Sequence, residues 1–184
     1  TWGVAHPSGY PAYVVALRVF SFLVPIGDEA FRGNLFSAVL TATSTGFVFI
    51  TSMRLSRLLP HTSKLPIWIL YASASITAIA VGFSRELWSQ ATITEVYALN
   101  IFFVTILMLG MLSLFKAESD GLFLRYYRPL LGFLLGLGLG NHLTLAMVAA
   151  PFVIWSYLWQ NKTSTTKQRF SDVIVPLSFL AGLS

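Results

Sequence analysis

The sequence has no cysteine among its 184 residues, which excludes disulfides and thiolate metal sites and leaves the redox compartment unread. Charge is nearly as scarce. Only 10% of residues are Asp, Glu, Lys or Arg, against about 25% in soluble domains, so a soluble globular fold is excluded. No long run of one charge sign occurs either. The net charge of +5 comes from basic residues in short loops between apolar runs. That pattern reports membrane orientation and does not make a nucleic-acid surface. The three histidines, His6, His61 and His142, are scattered, so no metal site is expected. An initiator Met and a signal peptide are also missing, and the last apolar run, residues 173–184, is only 12 residues long. The chain is therefore expected to be an internal piece of a longer membrane protein. What is present is 55% hydrophobic residues and a mean hydropathy of +0.72, a composition for multiple membrane crossings.

Residues 33–53, 65–84 and 96–115 are uncharged apolar runs, each about long enough to cross a bilayer as a helix. Residues 12–24 are too short for that and predict an interfacial or re-entrant helix, ended by Pro25-Ile26-Gly27. Residues 54–64 and 116–128 read as loops, and His61 in the first reads as solvated. Residues 129–161 carry one potentially charged group, His142. As a single helix they would reach about 50 Å, against an apolar core of about 30 Å. Two helices broken near Gly140-Asn141-His142 fit better. Gly132, Gly136 and Gly140 recur every four residues, a smooth stripe for close helix approach. Charge placement agrees. With two passes there, Arg54, Arg57, Lys64, Lys116, Arg125, Arg128, Lys162, Lys167 and Arg169 share one face, and Arg18, Arg32 and Arg85 lie on the other. With one pass the split is six against six, which orients nothing. The positive-inside rule thus puts the N-terminal loop outside the cytoplasm. The expected fold is an all-α polytopic transmembrane helical bundle of about five spans, an interfacial helix and a truncated C-terminal span. Residues 1–184 form one transmembrane domain within a longer protein.

Three polar segments arrive on that extracytoplasmic face: the His6–Pro11 loop, the connector of residues 84–100, and Asn141-His142. The connector carries Arg85, Glu86, Trp88, Gln90 and Glu95. Ionisable groups at a membrane surface are functional candidates unless they are simply solvated. Solvation and aromatic anchoring suffice for Glu86 and Trp88. Glu95 stands at the head of an uncharged span beside Tyr97 and Asn100, which favours function. A continuous helix would set Arg85, Trp88, Thr92 and Glu95 on one face. The acidic pair Asp28-Glu29 resembles a catalytic dyad, but adjacent helical residues face apart and acids suit a helix start. Capping is the favoured role.

The stretches GVAHPSGYPAY (residues 3–13), GDEAFRGNLFSAV (27–39), WSQATITEVYALN (88–100) and GLGLGNHLT (136–144) together resemble a multi-pass family long catalogued as a domain of unknown function. That family includes the eukaryotic transmembrane protein O-mannosyltransferase of plexin-type immunoglobulin-like domains. The resemblance implies a GT-C type glycosyltransferase without a cofactor, in a bacterial inner membrane or the endoplasmic reticulum membrane. It implies transfer of mannose or a similar sugar, on the extracytoplasmic face, from a polyprenyl-phosphate donor to a protein or other acceptor. The partners are then the bilayer, the lipid-linked donor and the acceptor, with no nucleic acid. Such enzymes carry a catalytic acid after the first transmembrane helix, a point expected upstream of Thr1. Ser8 replaces a proline common in the family loop, and Asp28-Glu29 fall in a structural G-D-x-A-x-R-x-N segment. Chemistry distributes the remaining roles. Arg85 and His142 would meet the phosphate, His6 and Tyr10 would orient phosphate or sugar, and Glu95 would hold Arg85 or a sugar hydroxyl, with Asn141 adjoining. A transporter also has broken helices and buried polar groups, but no paired repeat is evident here. A non-catalytic scaffold is the third reading, and it predicts replaceable polar residues.

Overall fold

The computed structural model describes residues 10–62, 64–114, 121–147 and 151. Among them are six α-helices, one 3-10 turn and no strand. The helices are α1 (Pro11–Leu23), α2 (Glu29–Leu58), α3 (Ile67–Gly82), α4 (Arg85–Ala91), α5 (Val96–Leu114) and α6 (Gly121–Asn141). By length and apolar composition, Glu29–Leu58 and Val96–Ser113 can each cross a membrane, and Ile67–Gly82 with Arg85–Ala91 is a third candidate if that bent pair is one span. The expected truncated C-terminal span lies outside the described residues, as do residues 148–150 and 152–161 of the second helix expected within residues 129–161.

Local chemistry explains most boundaries. Pro11 opens α1, where its missing N–H and fixed φ are tolerated. The chain leaves α1 through Gly27 at φ 66°, where a Cβ would lie 2.8 Å from the Phe31 ring. Only glycine suits that turn. Asp28 then accepts the Phe31 N–H at 2.8 Å, and Glu29 occupies the first turn of α2. The expected capping role of the acidic pair is what the fold uses. α2 continues past Met53 to Leu58, which corrects the reading of residues 54–64 as a loop. Nothing breaks the helix before Pro60, and Arg57 in the last turn suits the negative helix end. The hydroxyls of Thr43, Ser44 and Thr45 return to the backbone four residues earlier, so these polar groups are satisfied inside an apolar helix.

The second correction concerns residues 121–128, read as loop and found as the first turns of α6. Pro129 lies inside that helix. It removes one hydrogen bond from the ladder and blocks an ideal i−4 approach, which is why the sequence pattern reads it as a helix start. At its far end α6 stops at Asn141, and His142 turns extended. The break expected at Gly140-Asn141-His142 is present. Gly132 and Gly136 are buried, and Gly140 is half-buried.

The chain forms two compact units, one from Thr1–Val14 and Ser113–Ser184, the other Val15–Leu112. In the second unit α2 and α3 pack antiparallel. Met53, Leu70 and Ala74 form a buried cluster with Phe49 against it, and the Phe49 and Tyr71 rings stack. At the other end of this pair, a Cβ on Gly82 would meet Thr45 Cγ2 at 2.9 Å. Leu70, Ala74 and Ala78 are buried at four-residue spacing, and the two small alanines of this seam let the helices approach closely. Phe47 and Phe102 bring α5 against α2, and Phe20 and Phe36 bring α1 there.

Candidate functional site

In the first unit, two of the sequence-distant polar segments meet. The Tyr10 and His142 rings lie parallel within 3°, with centroids 6.1 Å apart. Tyr10 precedes α1 and its carbonyl accepts the Val14 N–H at 3.1 Å. Its φ is 35°, the one positive value at a non-glycine among the described residues. A bulky side chain there costs about 1–2 kcal/mol, and the following proline disfavours helical angles further. His142 follows α6 and caps the 3-10 turn Leu143–Leu145, with Nδ1 accepting the Thr144 N–H at 3.3 Å. Asn141, the last residue of α6, is 1% exposed. The Tyr10 and His142 rings are thereby brought together. His6 lies outside the described residues.

In the second unit the connector is not a single helix. Ser84 both ends α3 and starts α4. Its Oγ donates to Val81 O at 2.7 Å and accepts the Leu87 N–H at 3.4 Å. The two helices meet at 64°, and Phe83 stacks on Trp88 across the bend, 5.4 Å between centroids. α4 ends at Ala91 because Thr92 turns its hydroxyl back to Ser89 O, at 3.0 Å, and Glu95 N–H closes a tight turn on Ile93 O, at 3.1 Å. This overturns the one-face arrangement of Arg85, Trp88, Thr92 and Glu95. Arg85 opens α4, and Glu95 stands just before α5. Both are exposed, and among the described residues neither side chain has a hydrogen bond or ion pair.

The structure gives roles to residues that the sequence left without one. Thr94 donates to Asn34 Oδ1 at 2.6 Å, tying the connector to the first turns of α2 across 60 residues. Gly33 makes room for it, since a Cβ there would lie 2.5 Å from Thr94 Oγ1 and 2.6 Å from its Cγ2. Arg32 reaches the other way, to Ser21 O in α1 at 3.4 Å and to Asp28 O at 3.3 Å. A cation on the last carbonyls of α1 also suits that helix's negative end. The segment Gly27 to Asn34 is thus a junction that holds α1, α2 and the connector. Arg128, assigned to a loop from the sequence, is buried in α6 at 4% exposure. No cluster of three or more potential metal ligands occurs among the described residues.

These features define the class: among the described residues the protein is all-helical, with two or three helices of membrane-spanning length and polar side chains at its helix breaks. Residues 1–167 match the family described as the protein O-mannosyl-transferase TMEM260 N-terminal domain, and the chain belongs to that family. It is 33% identical over 106 residues to the protein O-mannosyl-transferase TMEM260 of Mus musculus, covering 58% of this chain and 13% of that protein. It is 26% identical over 165 residues to the protein O-mannosyl-transferase tmem260 of Dictyostelium discoideum, covering 84% of this chain and 19% of that one. The chain thus spans less than a fifth of the length of either relative. No solved structure matches it.

Proposed function

We propose that this chain is the donor-binding part of a membrane glycosyltransferase that passes mannose, or a similar sugar, from a polyprenyl phosphate to a protein hydroxyl on the extracytoplasmic face. In that reaction the acceptor oxygen attacks the anomeric carbon and the bond from that carbon to the phosphate oxygen breaks. Polyprenyl phosphate leaves with the electron pair, and a base takes the hydroxyl proton. Family membership and the relatives' names support glycosyl transfer. The observation that carries the site is Tyr10, strained at its backbone φ, with its ring laid parallel to that of His142 at the end of α6. Backbone strain of this kind clusters at active sites and ligand clamps, which supports the reading. His6, Tyr10, Asn141 and His142 are assigned to donor phosphate and sugar, Arg85 to the phosphate, and Glu95 to a sugar hydroxyl. The base is assigned to an acidic residue preceding Thr1, not to Asp28 or Glu29, whose positions serve the start of α2. Under this reading residues 1–184 form one multi-pass GT-C-type domain of about five spans.

The test is transfer of labelled mannose by the full-length protein, purified in nanodiscs, from polyprenyl-phosphate mannose to a plexin-type immunoglobulin-like domain. Label should appear on the acceptor, and Tyr10→Ala should reduce it at least tenfold. Transfer with a nucleotide sugar as sole donor would sink the lipid-donor reading. Passage of the lipid or sugar across the bilayer with no acceptor labelling would favour a transporter.

A further inference from the structure

Ser37 and Thr41 of α2 are 0% and 4% exposed, and neither hydroxyl makes a hydrogen bond among the described residues. A hydroxyl inside a helix ordinarily returns to the carbonyl four residues earlier, as Thr43, Ser44 and Thr45 do one turn on. Ser37 and Thr41 make no such return. Their spacing says where they face. Gly33, Ser37, Thr41 and Thr45 recur every four residues, so they share one face of α2. That face is anchored at both ends, with Gly33 against Thr94 and Thr45 against Gly82. The chain between Gly82 and Thr94 contains α4, which packs on α2. Ser37 and Thr41 therefore front the seam beneath α4. On α4 itself, Leu87, Gln90 and Ala91 are half-buried, whereas Arg85, Glu86, Trp88 and Ser89 are exposed. Gln90 thus lies on the covered side, and its Oε1 is buried with no hydrogen bond among the described residues.

Polar groups sealed from solvent without a partner are rare and costly in native folds. We propose that the seam between α2 and α4 is a binding site for ordered water, which bridges Ser37 Oγ, Thr41 Oγ1 and Gln90 Oε1. The donor and acceptor inventory selects that ligand. Gln90 Oε1 only accepts, so the ligand must donate a hydrogen, and the two hydroxyls serve either role. Water does both and fits a site closed to larger molecules. An anion brings no hydrogen for Oε1, and none of the seam residues is charged. A hard cation takes about six oxygen ligands, twice what the three side chains offer. Water then seats α4, the helix that opens with Arg85, on α2. The site stands whether or not the chain binds a lipid-linked donor.

Substitutions that remove one oxygen at a time separate a hydrated seam from a dry one. Ser37→Ala, Thr41→Val and Gln90→Met are made singly and together in the full-length protein, purified in nanodiscs. In a dry seam each orphaned group is a cost, so each single variant would melt higher than wild type. In a hydrated seam each single variant strips a partner from bound water and leaves the remaining groups short. Each should then melt lower, by about 1–2 °C. The triple variant removes the whole network and should melt higher than the sum of the three single shifts. An electron cryomicroscopy map of the wild type, at a resolution that shows ordered water, reads the site directly. A peak within hydrogen-bond distance of at least two of the three oxygens is expected. Single variants that melt higher overturn the proposal. So does a wild-type seam without a peak, including one in which Gln90 bonds a hydroxyl directly. A peak in a protein whose melting temperature rises when sodium replaces choline at equal ionic strength is a metal ion, and that result overturns it as well.

Discussion

Gly33→Ala probes the junction between α2 and the connector, and the geometry permits a worked magnitude. The new Cβ would stand 2.5 Å from Thr94 Oγ1, 2.6 Å from Cγ2 and 3.1 Å from Cβ. Both γ atoms are in the way, and a β-branched side chain is stiff about χ1, so rotation alone cannot clear the overlap. Backbone must move by on the order of an ångström to restore ordinary contact. Overpacking of this kind costs about 1–3 kcal/mol. The 2.6 Å bond from Thr94 to Asn34 is lost with it, worth about 0.5 kcal/mol, the low end of the range because the pair is exposed. Thr94→Ala alone should therefore cost about 0.5 kcal/mol, and Gly33→Ala about 1.5–3.5 kcal/mol. The double variant removes both clashing γ atoms, so it should recover at least 1 kcal/mol of the sum, a coupling typical of touching residues. Denaturation of the purified protein in mild detergent, followed by tryptophan fluorescence, supplies the three differences. Strict additivity would refute the close approach of connector and helix on which this reasoning depends.

Asp28→Ala should cost about 0.5–2 kcal/mol through the lost cap, while Asp28→Asn should cost no more than about 1 kcal/mol. Sugar transfer should survive both, and loss of turnover with intact folding would restore the acidic pair as catalytic. Arg32→Met should destabilise by about 1–2 kcal/mol in the same denaturation assay, because two charge-assisted bonds go together. Arg32→Lys should not rescue it, since an ammonium cannot reproduce the fork that reaches both Ser21 O and Asp28 O. A cysteine-free chain lends itself to spin labels at Val15, Val19 and Phe22, which are exposed on α1. Each label should be quenched by oxygen more than by an aqueous nickel complex, at a depth of about 5–10 Å; dominant nickel quenching would remove α1 from the membrane surface. Arg85→Met and Glu95→Gln should each cut transfer at least tenfold at unchanged melting temperature. Arg85→Met should act mainly on donor affinity and Glu95→Gln on turnover, and wild-type rates for both would make the connector a plain surface loop.

Features set by local chemistry were legible in the sequence. The proline-opened, glycine-closed α1, the Asp28 cap, the apolar core of α2 and the break at Asn141-His142 each depend on residues within a few positions of one another. Signals that mislead locally caused the errors. Arg54 and Arg57 looked like loop, yet a helix can carry cations to its end. Pro129 looked like a helix start, yet α6 begins eight residues earlier. The tie from Thr94 to Asn34 spans 60 residues, and no period or motif in a single sequence reports such a pairing. At the candidate site, the contact between the Tyr10 and His142 rings joins residues 132 positions apart, and no local pattern reports it. The orientation of the imidazole is no more legible, because it depends on Thr144 and on a backbone angle at Tyr10.

The division of labour among polar groups gives the functional assignment its direction. Thr43, Ser44, Thr45 and Thr105 return their hydroxyls to their own helices, where an apolar environment would otherwise penalise them. Asp28, Arg32, Asn34 and Thr94 are consumed in joining α1, α2 and the connector. A group already engaged in this way gains little from meeting a ligand, since each new bond would cost an old one. This is why the acidic pair, despite its catalytic appearance, is a weaker candidate than two groups the fold leaves outward. Arg85 and Glu95 cap nothing, and no side chain among the described residues engages them. Their positions are nonetheless held, Arg85 by the Ser84 cap and Glu95 by Thr94 one residue before it. A charged side chain on a fixed backbone with no internal partner is the arrangement expected of a group reserved for substrate. Breaking the tie without touching Glu95, by Thr94→Val, should therefore lower transfer more than it lowers stability.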